Sequence, residues 1–109
     1  MTNTMTKIKA RIQQENAVPA ERKTELLTLL ATLESEIAAL SETHAEHAES
    51  IAGFIDRSTH EATRQTKRPE LLKLSLAGLS ESVKEFEASH PRLAADINTI
   101  CASLANMGI

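Results

Sequence analysis

Two segments of this sequence repeat leucine and other aliphatic residues at the same alternating spacing of four and three positions. Because an α-helix turns once in 3.6 residues, this spacing places a narrow apolar stripe along one helix face. The stripes consist of Leu26, Leu30, Leu33, Ile37 and Leu40, and of Leu72, Leu76, Leu79, Val83 and Phe86. They predict two amphipathic helices and limit the chain to folds in which helices pack side by side.

Three prolines divide the rest of the chain into segments with helical patterns. Proline is tolerated in the first turn of a helix and disruptive in its interior, so Pro19, Pro69 and Pro91 each mark a helix start. The sequence therefore predicts one all-α domain over residues 1–109. We expect a short N-terminal helix and the four main helices of an antiparallel bundle, at about residues 4–15, 19–41, 43–66, 69–88 and 91–107.

The boundary between the second and third helices has two interpretations. No glycine or proline separates them, and one helix over residues 20–66 would be about 70 Å long and would demand a partner chain. The alternative is a turn near residues 41–43. We expect the turn, because Thr43 and Glu46 have the spacing of a capping box and the apolar face changes from leucine to alanine beyond it.

The apolar content indicates how the bundle is stabilised. Apolar residues make up 41% of the chain, but there is no Trp or Tyr and there are only two Phe. A core this poor in aromatic residues predicts that the stripes also pack between copies. We therefore expect a non-enzymatic interaction protein that forms a homodimer or higher oligomer, with another protein as a second possible partner. The expected interface residues are Leu26, Leu30, Leu33, Ile37, Leu40, Leu72, Leu76, Leu79 and Val83.

Charge and composition exclude several other classes of partner. The net charge of −3 and the scarcity of aromatic residues argue against nucleic-acid binding, which relies on cations and stacking side chains. No segment approaches the roughly 20 apolar residues that span a bilayer. Cys101 is the only cysteine, which favours the reducing cytoplasm, and we interpret it as a core residue.

Four residues are weak candidates for metal ligands. His44 and His47 are three positions apart, so they share a helix face, and Glu87 and His90 have the Glu-x-x-His spacing of di-iron bundles. A di-iron site needs two such motifs and two further carboxylates, and this chain has one copy. We predict no catalytic residue, cofactor or metal. These four residues define the alternative function, a helical bundle that binds a metal or a small ligand.

Two further motifs, residues 60–64 and the cations that follow them, do not predict a catalytic site. His60 and Glu61 begin a zincin-like helix, but Arg64 stands where the second histidine is required. We interpret this segment as a solvated face, with a possible contact between Glu61 and a cation. The cations Arg64, Lys67, Arg68 and Lys73 suggest three interpretations, of which a solvated junction or pairing with the acidic second helix is the one we expect. The third is contact with an anionic surface such as DNA or acidic lipid, but the large apolar face of an interfacial helix is missing beside them.

Four stretches of the chain are similar to a known family. They are Phe86 to Leu93 (FEASHPRL), Leu104 to Ile109 (LANMGI), Ala48 to Phe54 (AESIAGF) and Pro69 to Leu72 (PELL). Together they resemble the short bacterial helical proteins of domain-of-unknown-function family 4404. Val18 and Arg68 depart from the Asp- or Asn-type caps expected before the prolines. The resemblance implies a bacterial, cytosolic, helical protein, and it transfers no catalytic residue because the family has no assigned activity.

Overall fold

The computed structural model describes residues 2–16 and 18–108, with side chains for 4–16 and 18–107. Every regular element in these ranges is helical, which confirms the predicted all-α class. The helices are α1 (Thr2–Gln14), α2 (Ala20–Ser41), α3 (Ala45–Ala62), α4 (Pro69–Val83) and α5 (Pro91–Gly108), with a 3₁₀ turn at Lys84–Phe86. No helix in the described ranges is both long enough and apolar enough to cross a membrane.

The chain turns between α2 and α3, so the single helix over residues 20–66 does not form. The predicted capping box is wrong, however. α3 begins at Ala45 after His44, and no side chain bonds to the amides of its first turn. The hydroxyl of Thr43 instead donates to the carbonyl of Leu40, 3.4 Å away, and contacts Nδ1 of His44 at 2.8 Å.

Two of the predicted helices are shorter than expected. α3 ends at Ala62 rather than near residue 66, because Lys67 donates to the carbonyl of Ala62 and the residue before Pro69 is disfavoured in a helix. α4 ends at Val83 rather than near residue 88. The tighter 3₁₀ turn that follows carries Phe86 into the core, where it is buried.

The helix α3 lies at the centre of the fold and contacts each of the other four helices. Its buried positions are mostly small, and they include Ala48, Ala52, Ser58 and Ala62. The larger core side chains come mainly from the surrounding helices. Small residues let the neighbouring backbones approach closely, so one helix can touch four others.

Polar contacts attach the short α1 to this arrangement. The Lys9 ammonium donates to Glu34 of α2 at 2.9 Å, and a guanidinium nitrogen of Arg11 lies 2.8 Å from Nδ1 of His60 of α3. The apolar face of α1 is buried between the same two helices.

Candidate functional site

Both apolar stripes face the core of their own chain. The second-helix residues of the predicted interface are at most 2% exposed, and those of α4 are buried as well, except that Leu76 is partly buried against the core. This follows from the packing, since α2 contacts α1, α3 and α5 while α4 contacts α3 and α5. Within this fold the stripes are therefore covered by other helices of the same chain. The residues concerned are Leu26, Leu30, Leu33, Ile37, Leu40, Leu72, Leu76, Leu79 and Val83.

The structure brings three of the four metal candidates together around one aromatic ring. The ring centroids of His44, His47 and His90 lie 5.2, 5.4 and 5.8 Å from that of Phe86, all edge-on. His44 lies in the turn between α2 and α3, His47 lies in the first turn of α3, and His90 immediately precedes α5. The 3₁₀ turn holds Phe86 between them.

The histidine nitrogens in this cluster have separate partners. Nδ1 of His44 lies 2.8 Å from the Thr43 hydroxyl, Nδ1 of His90 lies 3.0 Å from the Ser89 hydroxyl, and Nε2 of His47 lies 3.3 Å from Glu85. Glu87 is exposed and does not join them. Among the described residues, no group of three or more His, Cys, Asp and Glu side chains is arranged to hold a metal ion. As it stands, the geometry is that of an aromatic cluster.

A pair of carboxyl groups lies between α2 and α5, and the sequence patterns did not indicate it. The pKa of Glu36 is raised to about 7, mainly by burial and then by the neighbouring Asp96 carboxyl, while Arg92 opposes the shift. Oε1 of Glu36 is buried without a hydrogen-bond partner among the described residues. Glu36 borders a recess of about 320 Å³ that is also lined by His90 and Leu93. Near neutral pH, the Glu36 carboxyl of the folded chain is therefore still substantially protonated.

This pair predicts a specific dependence of stability on pH. The unperturbed pKa of Glu36 is 4.5, and its folded value is about 7, so the folded chain holds the proton more tightly than the unfolded chain. The stabilisation is complete below pH 4.5 and is lost as the pH rises through 7. Because the site is partly solvated, we expect an effect of about 1 kcal/mol, or about 4–8 °C in Tm, between pH 5 and pH 8.

Thermal unfolding followed by circular dichroism checks this expectation. Glu36→Gln should remove the difference, since an amide does not titrate, while Glu49→Gln on the exposed face of α3 should retain it. Comparing variants at each pH cancels the contribution of the histidines. Parallel pH profiles for the unmodified chain and Glu36→Gln would contradict the raised pKa of Glu36.

Two other candidates from the sequence also have defined places. Glu61 is 3% exposed and accepts a hydrogen bond from Arg64 at 3.1 Å, so the expected solvated face is wrong, although the expected contact with a cation is present. Cys101 is half-buried against the core, and burial raises the pKa of its thiol. A protonated thiol is a weak nucleophile, so this position suits packing.

The surface has one apolar feature that the sequence analysis did not identify. Phe54 and Leu74 are the large apolar side chains that remain exposed in the described ranges, at 37% and 68%. The ring of Phe54 on α3 lies directly over Gly78 on α4, where even a Cβ atom would approach the ring to 2.4 Å. Leu74 lies one helical turn before Gly78, so both side chains belong to one face of the α3–α4 pair. We call this face the Phe54–Leu74 surface.

Opposite charges flank the Phe54–Leu74 surface along the helix axes. The order of the contacts His47–Glu85 and Phe54–Gly78 means that α3 and α4 run in opposite directions. Arg57 follows Phe54 by one turn of α3, and Glu81 follows Gly78 by about one turn of α4, so they lie at opposite ends of the surface. Both side chains are exposed, and each has a neighbour of opposite charge in its own chain, Glu61 at 4.0 Å from Arg57 and Lys84 at 3.0 Å from Glu81.

The described part of the chain is thus a small all-helical protein. The sequence model described as Domain of unknown function (DUF4404) matches residues 1–109, and the chain belongs to this family. The family membership predicted from the four short stretches is thereby confirmed. No curated protein and no solved structure matches the chain.

Proposed function

We propose that this protein is a non-enzymatic interaction protein that associates with a second copy of itself through the Phe54–Leu74 surface. The observation that carries the proposal is the exposure of Phe54 and Leu74 on one face, in a chain whose other described large apolar side chains are buried or partly buried. Aromatic residues are enriched among the side chains that dominate binding energy at interfaces. The cytoplasm is the proposed location, supported by the free thiol of Cys101.

The contact between Phe54 and Gly78 supports this choice of surface. A ring that rests on a neighbouring helix has fewer conformations to lose on binding than a freely rotating one. Full burial of a Phe or Leu side chain contributes about 1.5–3 kcal/mol, and part of that is already gained within the monomer. Four such side chains in a symmetric pair exceed the cost of association only by a small margin. We therefore expect a weak dimer, with a dissociation constant of about 10–100 μM.

The flanking charges favour a second copy over an unrelated partner. In a two-fold symmetric pair centred on the apolar residues, Arg57 of one copy lies towards Glu81 of the other, and the reverse. Unlike charges that meet in this way fix the register of the pair. An unrelated partner would need a matching pattern of its own.

Sedimentation velocity at about 1–500 μM tests the proposal. Leu74→Gln is the informative variant, because an exposed side chain can be replaced without disturbing the core. We expect it to raise the dissociation constant at least tenfold, while Ala31→Gln, at an exposed position of α2, leaves it unchanged. A chain that is monomeric at every concentration, or a Leu74→Gln variant that associates normally, would refute the proposal.

A charge exchange tests the orientation of the two copies. Arg57→Glu should weaken association because two carboxylates would then meet across the two-fold axis. Adding Glu81→Arg to the same chain should restore it. Failure of the double variant to recover, with both chains folded, would rule out this orientation.

The alternative function is a metal- or ligand-binding bundle, and the convergence of three histidines around Phe86 is the observation that favours it. Elemental analysis of untagged protein separates the two functions. Stoichiometric zinc that disappears in His47→Ala would favour the alternative. On our proposal, the metal content is negligible and the His47→Ala variant associates as the unmodified chain does.

A further inference from the structure

A cleft opens at the end of the molecule where α1, α3 and α5 finish and α2 begins. Its volume is about 680 Å³, within the range of roughly 300–1,000 Å³ that is typical of sites for small molecules. The apolar part of its wall includes Val18, Pro19 and Met107, and several side-chain amides alternate with them. The cleft lies at a distance from the Phe54–Leu74 surface, since that surface is on the middle of α3 and α4.

Three cations line this cleft. Arg22 comes from the first turn of α2, and Arg64 and Lys67 come from the segment between α3 and α4. Glu61 holds the Arg64 guanidinium at 3.1 Å, and the carbonyl of Ala62 holds the Lys67 ammonium. These two cations are therefore fixed in place by the fold. Glu15 also lines the cleft, so the cations outnumber the carboxylates.

Arg22 differs from the other two cations because it has no hydrogen-bond or ion-pair partner among the described residues. It lies in the first turn of α2, where the helix dipole disfavours a positive charge. The same turn begins at Pro19 with no side-chain cap, so its first amide groups lack partners within the helix. An anion in the cleft would supply the partner that the Arg22 guanidinium lacks among the described residues.

We propose that this cleft binds a small organic phosphate. Arginine presents planar, paired donors that match phosphate oxygens, so the phosphate lies between Arg22 and Arg64. The side-chain amides of Gln14, Gln65 and Asn106 both donate and accept hydrogen bonds, and they line the space left for the polar remainder of the ligand. This inference is independent of the proposed association between copies.

Titration of ¹⁵N-labelled protein with AMP and, separately, with inorganic phosphate tests the site in about 150 mM salt. AMP should give saturable shifts at the amides of Val18, Arg22 and Arg64, with a dissociation constant below about 1 mM. Inorganic phosphate should bind at least fivefold more weakly, because it makes no contact with the side-chain amides. Arg22→Gln should weaken AMP binding at least tenfold and leave the circular dichroism spectrum unchanged, since Arg22 has no partner among the described residues.

Lys73→Gln is the matched control, because it removes one exposed charge from α4 outside the cleft lining. It should bind AMP as the unmodified chain does. The proposal is overturned if AMP causes no saturable shift up to about 10 mM, if Lys73→Gln weakens binding as much as Arg22→Gln, or if inorganic phosphate binds as tightly as AMP. A response to duplex DNA alone would also overturn it, since that behaviour belongs to a charged surface rather than a cleft.

Discussion

Replacing Leu33 with alanine is expected to lower the free energy of unfolding by about 2–5 kcal/mol. Leu33 lies in the middle of α2 and is 0% exposed, so its removal leaves a cavity lined by side chains of the same chain. Urea denaturation at pH 7, followed by circular dichroism, measures the change. For a domain of about 100 residues, such a loss is a large share of the total stability.

Leu74→Ala is the matched control because it makes the same chemical change at an exposed position of α4. We expect it to alter the unfolding free energy by less than about 0.5 kcal/mol. Sedimentation of the Leu33→Ala variant should give the same mass as the unmodified chain wherever both are folded. A variant that loses little stability but dissociates would instead mean that the α2 stripe packs between copies.

Arg64→Met is expected to lower the free energy of unfolding by about 2–3 kcal/mol. The methionine keeps most of the length of the side chain but removes the donor to Glu61, whose carboxylate is 3% exposed. Arg57 contacts the same carboxylate at 4.0 Å and is mostly solvated, so it compensates only in part. Chemical denaturation of the variant at neutral pH provides the measurement.

Two further variants test whether this loss of stability comes from leaving the buried Glu61 carboxylate without its partner. Arg57→Met should lower the stability by less than about 1 kcal/mol, because that contact is long and solvated. Adding Glu61→Leu to Arg64→Met should recover much of the loss, since no buried charge then lacks a partner. If Arg57→Met and Arg64→Met lowered the unfolding free energy equally, the contact between Arg64 and the buried Glu61 carboxylate would not be the main source of the loss.

The sequence was sufficient for the helices themselves but not for their ends. Aliphatic spacing and the three prolines report local geometry, and α2, α4 and α5 begin beside those prolines. The ends depend on contacts that no spacing encodes. Lys67 closes α3 by reaching back to Ala62, and His44 rather than Thr43 precedes its first turn.

The sequence could not show which side chains are exposed on the folded chain. A stripe of leucines indicates that a helix face is covered, but its own chain and a second copy cover it equally well. Only the packing of α2 and α4 in the structure shows that helices of the same chain cover the two stripes. The histidine cluster and the pair of Glu36 and Asp96 join residues that are far apart in the sequence, so local patterns contain no sign of either.

The central position of α3 has a consequence for how this sequence can change over time. Replacing Ala52 with a larger residue would require a neighbouring helix to move. Such a movement is restricted because all four surrounding helices pack against α3. The surrounding helices can exchange aliphatic residues of similar volume among themselves at little cost. Sequence drift in this fold is therefore most restricted at the small residues of its central helix, while the leucine positions around it are freer to vary.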